Sequence, residues 1–179
     1  MEKKEETAII LDFLPHGDPM DGKMMPLAQA IGTKYFTLLQ LVPRRDVSLQ
    51  LKDEVYIGEG KRDKIYYILG KLPKEKLTET SKLQLQEFVT KIINEKEKTF
   101  VDFFNTAMPI NARLHQLDLL PGFGVKHMKA ILAAREEKQF TSFEDIKKRV
   151  HNLPDPKKAI ERRLLDELEL EERYKLFVS

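Results

Sequence analysis

The sequence predicts an α+β protein, a small N-terminal antiparallel β-barrel followed by an all-helical region, and three observations predict it. Up to about residue 75, short apolar runs rich in Val, Ile, Tyr and Phe are broken by turn residues, the signature of strands. From Leu77 the apolar residues recur instead at three- and four-residue spacing, the signature of a helix with one buried face. From Asn111 to Leu170, four short helical segments are separated by PGFG, QFTS and NLPDP. The expected layout is therefore a barrel over residues 1–76, a helical connector over 77–110, a helical domain over 111–170, and a tail at 171–179.

Taken in order, the strand candidates are TAIILDFL at 7–14, YFTLLQLV at 35–42, EVYIGEG at 54–60 and KIYYILGKL at 64–72. Between the first two lies the turn-rich PHGDPMDGKM. It is followed by PLAQAIG, where Pro26 is placed to lead a short helical turn and Gly32 to close it. In the connector, Leu83, Leu85, Phe88, Val89, Ile92 and Ile93 recur at three- and four-residue spacing, and Pro109 should end or bend whatever helix precedes it. RYKLFVS at 173–179 alternates as a strand would and is a candidate to close the barrel.

Composition narrows the function. At 179 residues with 34% charged and 41% hydrophobic residues, the chain has the make-up of a globular protein with one or two small cores. No apolar run approaches the ~20 residues of a membrane span. The first residues, MEKKEETAIILDFLPHG, are too acidic for a secretory signal, so a cytoplasmic location is expected. With no cysteine there is no disulfide, thiolate metal site or cysteine nucleophile. The net charge of +2 conceals a local imbalance. Leu120 to Arg163 holds eleven Lys and Arg against six Asp and Glu, a surplus of five, and DELELEE at 166–172 then adds five acids. A basic face is implied rather than a basic protein.

The surplus surrounds LLPGFGVKHMKAILAAREEK at 119–138. Ahead of it, NARLHQLDLL sets Leu114, Leu117 and Leu120 along one side of a short helix; behind it, Met128, Ile131 and Leu132 line another. Gly122 and Gly124 permit backbone conformations closed to other residues and let a ligand approach the chain. The turn offers the free N–H groups of a new helix, where the macrodipole favours an anion, most simply a phosphate. Phe123 should point inward as a wedge, Val125 opens the helix, and Lys126 and Lys129 should flank the anion.

This stretch resembles a helix-hairpin-helix motif: Leu120, Pro121, Gly122, Phe123, Gly124, Val125 and Lys126, then the apolar Met128, Ile131 and Leu132. AREEKQFTSFEDIKKR resembles the usual extension. The resemblance implies binding of DNA or RNA through backbone phosphates without base readout. A partial second copy stands at NLPDPKKAIERRLLDEL, where Asp155 and Pro156 replace glycines. Asp155 would repel phosphate and Pro156 lacks an N–H, so packing is its expected role. Lys157, Lys158, Arg162 and Arg163 are left to add diffuse attraction.

The strand-rich region is compatible with an OB-like barrel, which binds single strands through a basic groove and stacking aromatics. The candidates there are Arg44, Arg45, Lys61, Arg62 and Lys64, with Tyr56 and one of Tyr66 and Tyr67; the two neighbours face opposite ways, so the other belongs to the core. The whole layout, including AIGTKYFTLLQLVP, VYIGEG, RDKIYYI and RLHQLDLLPGFG, resembles the archaeal family called domain of unknown function 655. That resemblance implies an OB-like barrel joined to helix-hairpin-helix.

Enzymatic readings find less support. The resemblance to helix-hairpin-helix glycosylases draws attention to Asp145, but Ser142 and Asp145 form a helix-start pair, and sixty residues cannot build two lobes around a base. His16, Asp18 and Asp21 come nearest to a metal cluster but lie in a turn-rich loop. His115 and His127 flank the hairpin as caps, phosphate contacts or surface residues. The expectation is a nonenzymatic monomer with no cofactor and no metal, partnered by nucleic acid and not by membrane. The alternative is a protein-protein adaptor in a nucleic-acid-processing complex.

Overall fold

The computed structural model describes residues 3–22 and 24–179. Met1, Glu2 and Lys23, the last in the turn-rich stretch PHGDPMDGKM, lie outside them. The chain forms two compact units, residues 1–87 with 167–179, and residues 88–166.

The first unit is a curled five-stranded antiparallel sheet, a half-barrel. Its strands are β1 (Thr7–Leu14), β2 (Leu27–Gly32), β3 (Leu38–Pro43), β4 (Glu54–Tyr56) and β5 (Ile65–Lys71), in the order β4-β1-β2-β3-β5. Register shifts between Ile10 and Asp12 in β1 and at two places along β3–β5 add local twist and bend to the sheet. Ala8, Ile10, Ala28, Ala30, Leu39, Leu41, Val55, Ile57 and Ile65 form one buried cluster, joined by Leu49 from the β3–β4 connection. Each fully buried Ile or Leu there contributes roughly 1.5–3 kcal/mol.

One element differs in kind from the sequence reading. PLAQAIG is not a helical turn but β2, the central strand, paired with β1 through Ala28↔Phe13 and Ala30↔Ile10 and with β3 through Ala28↔Leu41 and Ala30↔Leu39. All six residues of β2 are buried, so the polar alternation that marks a half-exposed strand is missing. Pro26 precedes the first paired residue, where its missing N–H costs no ladder bond.

The helices are α1 (Glu79–Glu95), α2 (Glu97–Thr106), α3 (Val125–Glu137), α4 (Phe143–Arg149) and α5 (Pro156–Glu169), with a short 3-10 helix at Gln116–Leu119. A polar cluster fastens the start of α1 to the sheet. Gln29 Oε1 accepts from Thr78 N at 3.1 Å and Ser81 Oγ at 2.6 Å, and Thr78 Oγ1 donates to Asp12 Oδ2 at 2.6 Å. No helix among the described residues is long and apolar enough to cross a membrane.

Residues 171–179 form no strand, contrary to the alternation in RYKLFVS. They are held by a carboxylate instead. Glu167 is fully buried, and its Oε1 accepts from the backbone N–H groups of Leu176, Phe177 and Val178 at 3.0, 3.0 and 3.1 Å. Three consecutive donors on one oxygen replace the ladder bonds a strand would have made.

In the second unit Phe104, Phe123, Ile131, Phe143 and Ile146 are among the buried residues. Arg135 Nη1 donates to the carbonyls of Phe104 and Ala107 at 3.2 and 2.8 Å, closing the end of α2. Asn105 exchanges two hydrogen bonds with the backbone of Phe140, at 2.9 and 2.7 Å, as a paired strand residue would. Arg149 Nη2 reaches the carbonyls of Ala134 and Lys138 at 2.6 Å each, and its guanidinium lies over the Phe140 ring at 4.6 Å.

Candidate nucleic-acid interface

The glycine turn is built from behind. The segment ahead of it is a four-residue 3-10 helix rather than an α-helix, with Leu117 and Leu120 buried. His115 caps it: its Nδ1 accepts from Leu117 N at 3.1 Å, while Asp118 Oδ2 accepts from His115 N at 2.8 Å. Burial holds the His115 imidazole below its ordinary pKa, and Arg135 pushes the same way against the opposing pull of Asp118. The neutral ring is the one that can accept this bond. Because the folded-state pKa is depressed, stability is fully present above the unfolded value near 6.5 and is lost as pH falls through the folded one. Thermal melts of wild type and His115→Asn between pH 7.5 and 5 should converge as pH falls; parallel curves would remove His115 as the cause.

At the turn, Gly122 has φ +83°, a conformation side chains disfavour, and a Cβ there would lie 3.5 Å from Pro154 Cγ. Phe123 points inward as expected, 8% exposed, with its ring centroid 6.2 Å from that of Phe104 and 5.8 Å from His127. Gly124 precedes α3 with φ −114° and ψ −175°, extended backbone open to any residue. A Cβ at Gly124 would meet nothing nearer than His127 Nδ1 at 4.0 Å. Neither torsion nor packing within the chain calls for glycine at this position.

No side chain caps the first turn of α3 among the described residues, apart from His127 Nδ1 accepting from Gly124 N at 2.9 Å. There is no acid in that turn, and Val125, Lys126 and Lys129 are exposed around it. The second helix start is the reverse case. Asp155 Oδ1 accepts from Lys157 N and Lys158 N at 3.0 and 3.3 Å, so a carboxylate of the chain already fills the place an anion would take. Pro154 meanwhile packs beside Gly122, the supporting role expected of this copy. Arg162 pairs with Asp166 at 3.1 Å and Arg163 is buried, which takes Arg163 out of the expected diffuse surface charge.

Asp145 belongs to a cap. Its N–H donates to Ser142 Oγ at 2.9 Å, and its Oδ2 accepts from Thr141 N at 3.0 Å and Arg149 Nη1 at 3.2 Å. The Thr141 N–H, seconded by Arg149, holds the carboxyl below its ordinary range. Asp18 caps a short turn through Met20 N at 2.9 Å, and Asp21 pairs with Lys76 at 2.8 Å. No group of three or more potential metal-ligating His, Cys, Asp or Glu occurs among the described residues.

On the half-barrel, Arg44 Nε donates to the Arg62 carbonyl at 2.6 Å and Arg62 Nε to the Gly58 carbonyl at 2.8 Å. Both side chains thus pin the loop before β5, while Arg45 and Lys64 stand exposed. Of the neighbouring tyrosines, Tyr66 is 64% exposed, and Tyr67 turns in with its hydroxyl 3.8 Å from Met25 Sδ. Tyr56 accepts from Gly60 N at 2.9 Å. His127 on Gly124 N takes the first of the roles offered for it, a cap, whereas sequence reasoning missed that Asp155 caps its own helix, which an aspartate just ahead of a helix start could have signalled.

Fold and site together define a two-unit α+β protein in which a half-barrel accompanies a helical unit carrying an open glycine turn. The chain belongs to the family described as "Protein of unknown function (DUF655)", whose pattern matches residues 4–179. It is 39% identical over 180 residues to "Uncharacterized protein MJ0038" of Methanocaldococcus jannaschii, covering 99% of this chain and 82% of that protein. The crystal structure of Af1531 from Archaeoglobus fulgidus superposes with a TM-score of 0.83 at 42% identity, covering 98% of this chain and all of the other.

Proposed function

We propose that this protein is a nonenzymatic, largely sequence-independent nucleic-acid-binding protein of the cytoplasm that holds backbone phosphates at the PGFG turn. The observation that carries the reading is the unexplained glycine: at Gly124 the chain itself has no use for a missing side chain, and an approaching ligand does. The first turn of α3, where His127 engages only the N–H of Gly124, stands beside exposed Lys126 and Lys129 and supplies N–H donors and positive charge to the same spot. The contrast with Asp155 supports it, since the chain caps one helix start with its own carboxylate and places no acid in the first turn of the other.

The test is filter binding of matched single- and double-stranded DNA and RNA at two salt concentrations. Lys126→Ala with Lys129→Ala should weaken binding about equally for every sequence. Each lost phosphate contact should flatten the slope of log K against log salt by ~0.7 to 0.9. An unchanged slope would put the electrostatic contacts elsewhere, and a base-dependent loss would mean groove readout. The adaptor reading draws on Met20 and Met24, 89% and 82% exposed in the β1–β2 loop, and it gains if nucleic acid binds only at low salt.

A further inference from the structure

The half-barrel has an open end. A cavity of about 560 Å³ lies among the N-terminal segment Lys3–Glu6, the stretch Ile57–Glu59, and β3 and β5, within the size range of small-molecule sites. Its apolar lining, Leu39, Ile57 and Ile68, belongs to or packs against the buried cluster of the sheet, so a ligand entering here would extend the core. Gly70 lines the opening at φ +151°, with nothing within 4 Å of where a Cβ would stand, so β5 presents bare backbone to the space.

The charges of the rim do not cancel. Lys4 pairs with Glu59 at 3.0 Å. Glu5 is buried and engaged by Lys34 N, Tyr35 N and Thr37 Oγ1 at 3.0, 2.6 and 3.4 Å. That leaves Lys3, Arg62 and Lys71 against Glu6. Arg62 and Lys71 have no carboxylate partner within 4.0 Å among the described residues, and Lys3 Nζ is held by the Ser179 hydroxyl at 3.0 Å. An apolar floor with a cationic lip suits a ligand with a less polar body and an anionic group.

We infer that this cavity seats one nucleotide, its base over the half-buried Ile68, with the buried Leu39 and Ile57 beneath, and its phosphate at Arg62 and Lys71. The inference rests on the reading that the chain binds nucleic acid, but it places the single-strand contact in the mouth of the half-barrel rather than on the outer residues Arg45, Lys64 and Tyr66. With no aromatic ring among the described lining residues, base preference should be weak, because none of them offers a ring on which to stack. The same chemistry could come from a free nucleotide or from a nucleotide within a strand.

The experiment uses the full chain with three probes: labelled (dT)10, free UMP and a mixed-sequence duplex. Lys71→Glu, an exposed change on an edge strand, should weaken (dT)10 by about tenfold or more and lower the salt slope by ~0.7 per lost contact, while leaving duplex binding unchanged. Methyl NMR should show Leu39, Ile57 and Ile68 shifting on titration. Shifts with UMP as well as (dT)10 would identify a free-nucleotide site, and shifts with (dT)10 alone a strand site. Unchanged (dT)10 affinity in folded Lys71→Glu, or shifts confined to residues outside the cavity, would overturn the inference, as would protection of the β5 edge by a peptide with no response to (dT)10. If Gly124→Glu leaves duplex binding intact while Lys71→Glu abolishes strand binding, the hairpin reading fails and this one stands.

Discussion

Gly124→Glu should lose most nucleic-acid affinity, about tenfold or more at moderate salt, while melting at the wild-type temperature. The two halves of this expectation have separate causes. Stability survives because φ −114° is open to any residue and the new Cβ meets only His127 Nδ1 at 4.0 Å. A carboxylate at the amino end of α3 even complements the helix dipole. Affinity falls because that carboxylate occupies the place of a phosphate and repels the next one. Gly122→Ala is the informative control. At φ +83° an added side chain is strained by roughly 1–2 kcal/mol, so this variant should lose stability first and affinity only through the fold. Anisotropy with a labelled duplex, beside thermal melts of both variants, separates the cases. A folded Gly124→Glu that binds as tightly as wild type would sink the phosphate-grip reading.

The contrast between the two glycines explains how much of the molecule was legible in its sequence. The turn itself could be read because its requirements are local: the wedge at Phe123, the left-handed Gly122 and the lysines at helical spacing all lie within eight residues. The same holds for Asp145, whose N–H is capped by Ser142 in a local i,i+3 pattern. What could not be read depends on partners distant in sequence. PLAQAIG carries helix-start and helix-stop residues. It is a strand because β1 and β3 bury it on both edges, with Ala28 and Ala30 facing Phe13, Ile10, Leu41 and Leu39, and tertiary context overrides so weak a local preference. Glu5 and Glu167 read as surface acids in charged stretches. Each is buried because backbone N–H groups 29 to 30 residues away in one case, and 9 to 11 in the other, converge on its carboxylate. RYKLFVS is a candidate strand to close the barrel; its alternation is real, but the N–H groups of Leu176, Phe177 and Val178 serve Glu167 instead.

That last arrangement carries the second large expected effect. Glu167→Ala should destabilise the half-barrel unit by about 3 kcal/mol or more, because it strands the N–H groups of Leu176, Phe177 and Val178 without their charged acceptor. For a chain of this size such a loss lowers the melting temperature by roughly 6 to 12 °C. The position is fully buried, so water cannot replace the carboxylate without opening the packing around it. Lys74 adds to the same fastening by donating to the carbonyl of Glu167 at 2.7 Å and to that of Leu170, and it ties the end of α5 to the segment that follows β5. Glu167→Gln should be milder, since its amide keeps one acceptor oxygen but sets two donors among donors. Removing residues 171–179 should therefore cost stability of the same order as Glu167→Ala, and the two changes together little more than either alone, as expected for groups acting in one unit. Hydrogen exchange makes the mechanism visible: the amides of Leu176, Phe177 and Val178 should exchange slowly in wild type and near the rate of free peptide in Glu167→Ala. Slow exchange persisting in that variant, with an unchanged melting temperature, would mean that packing rather than the carboxylate holds these residues.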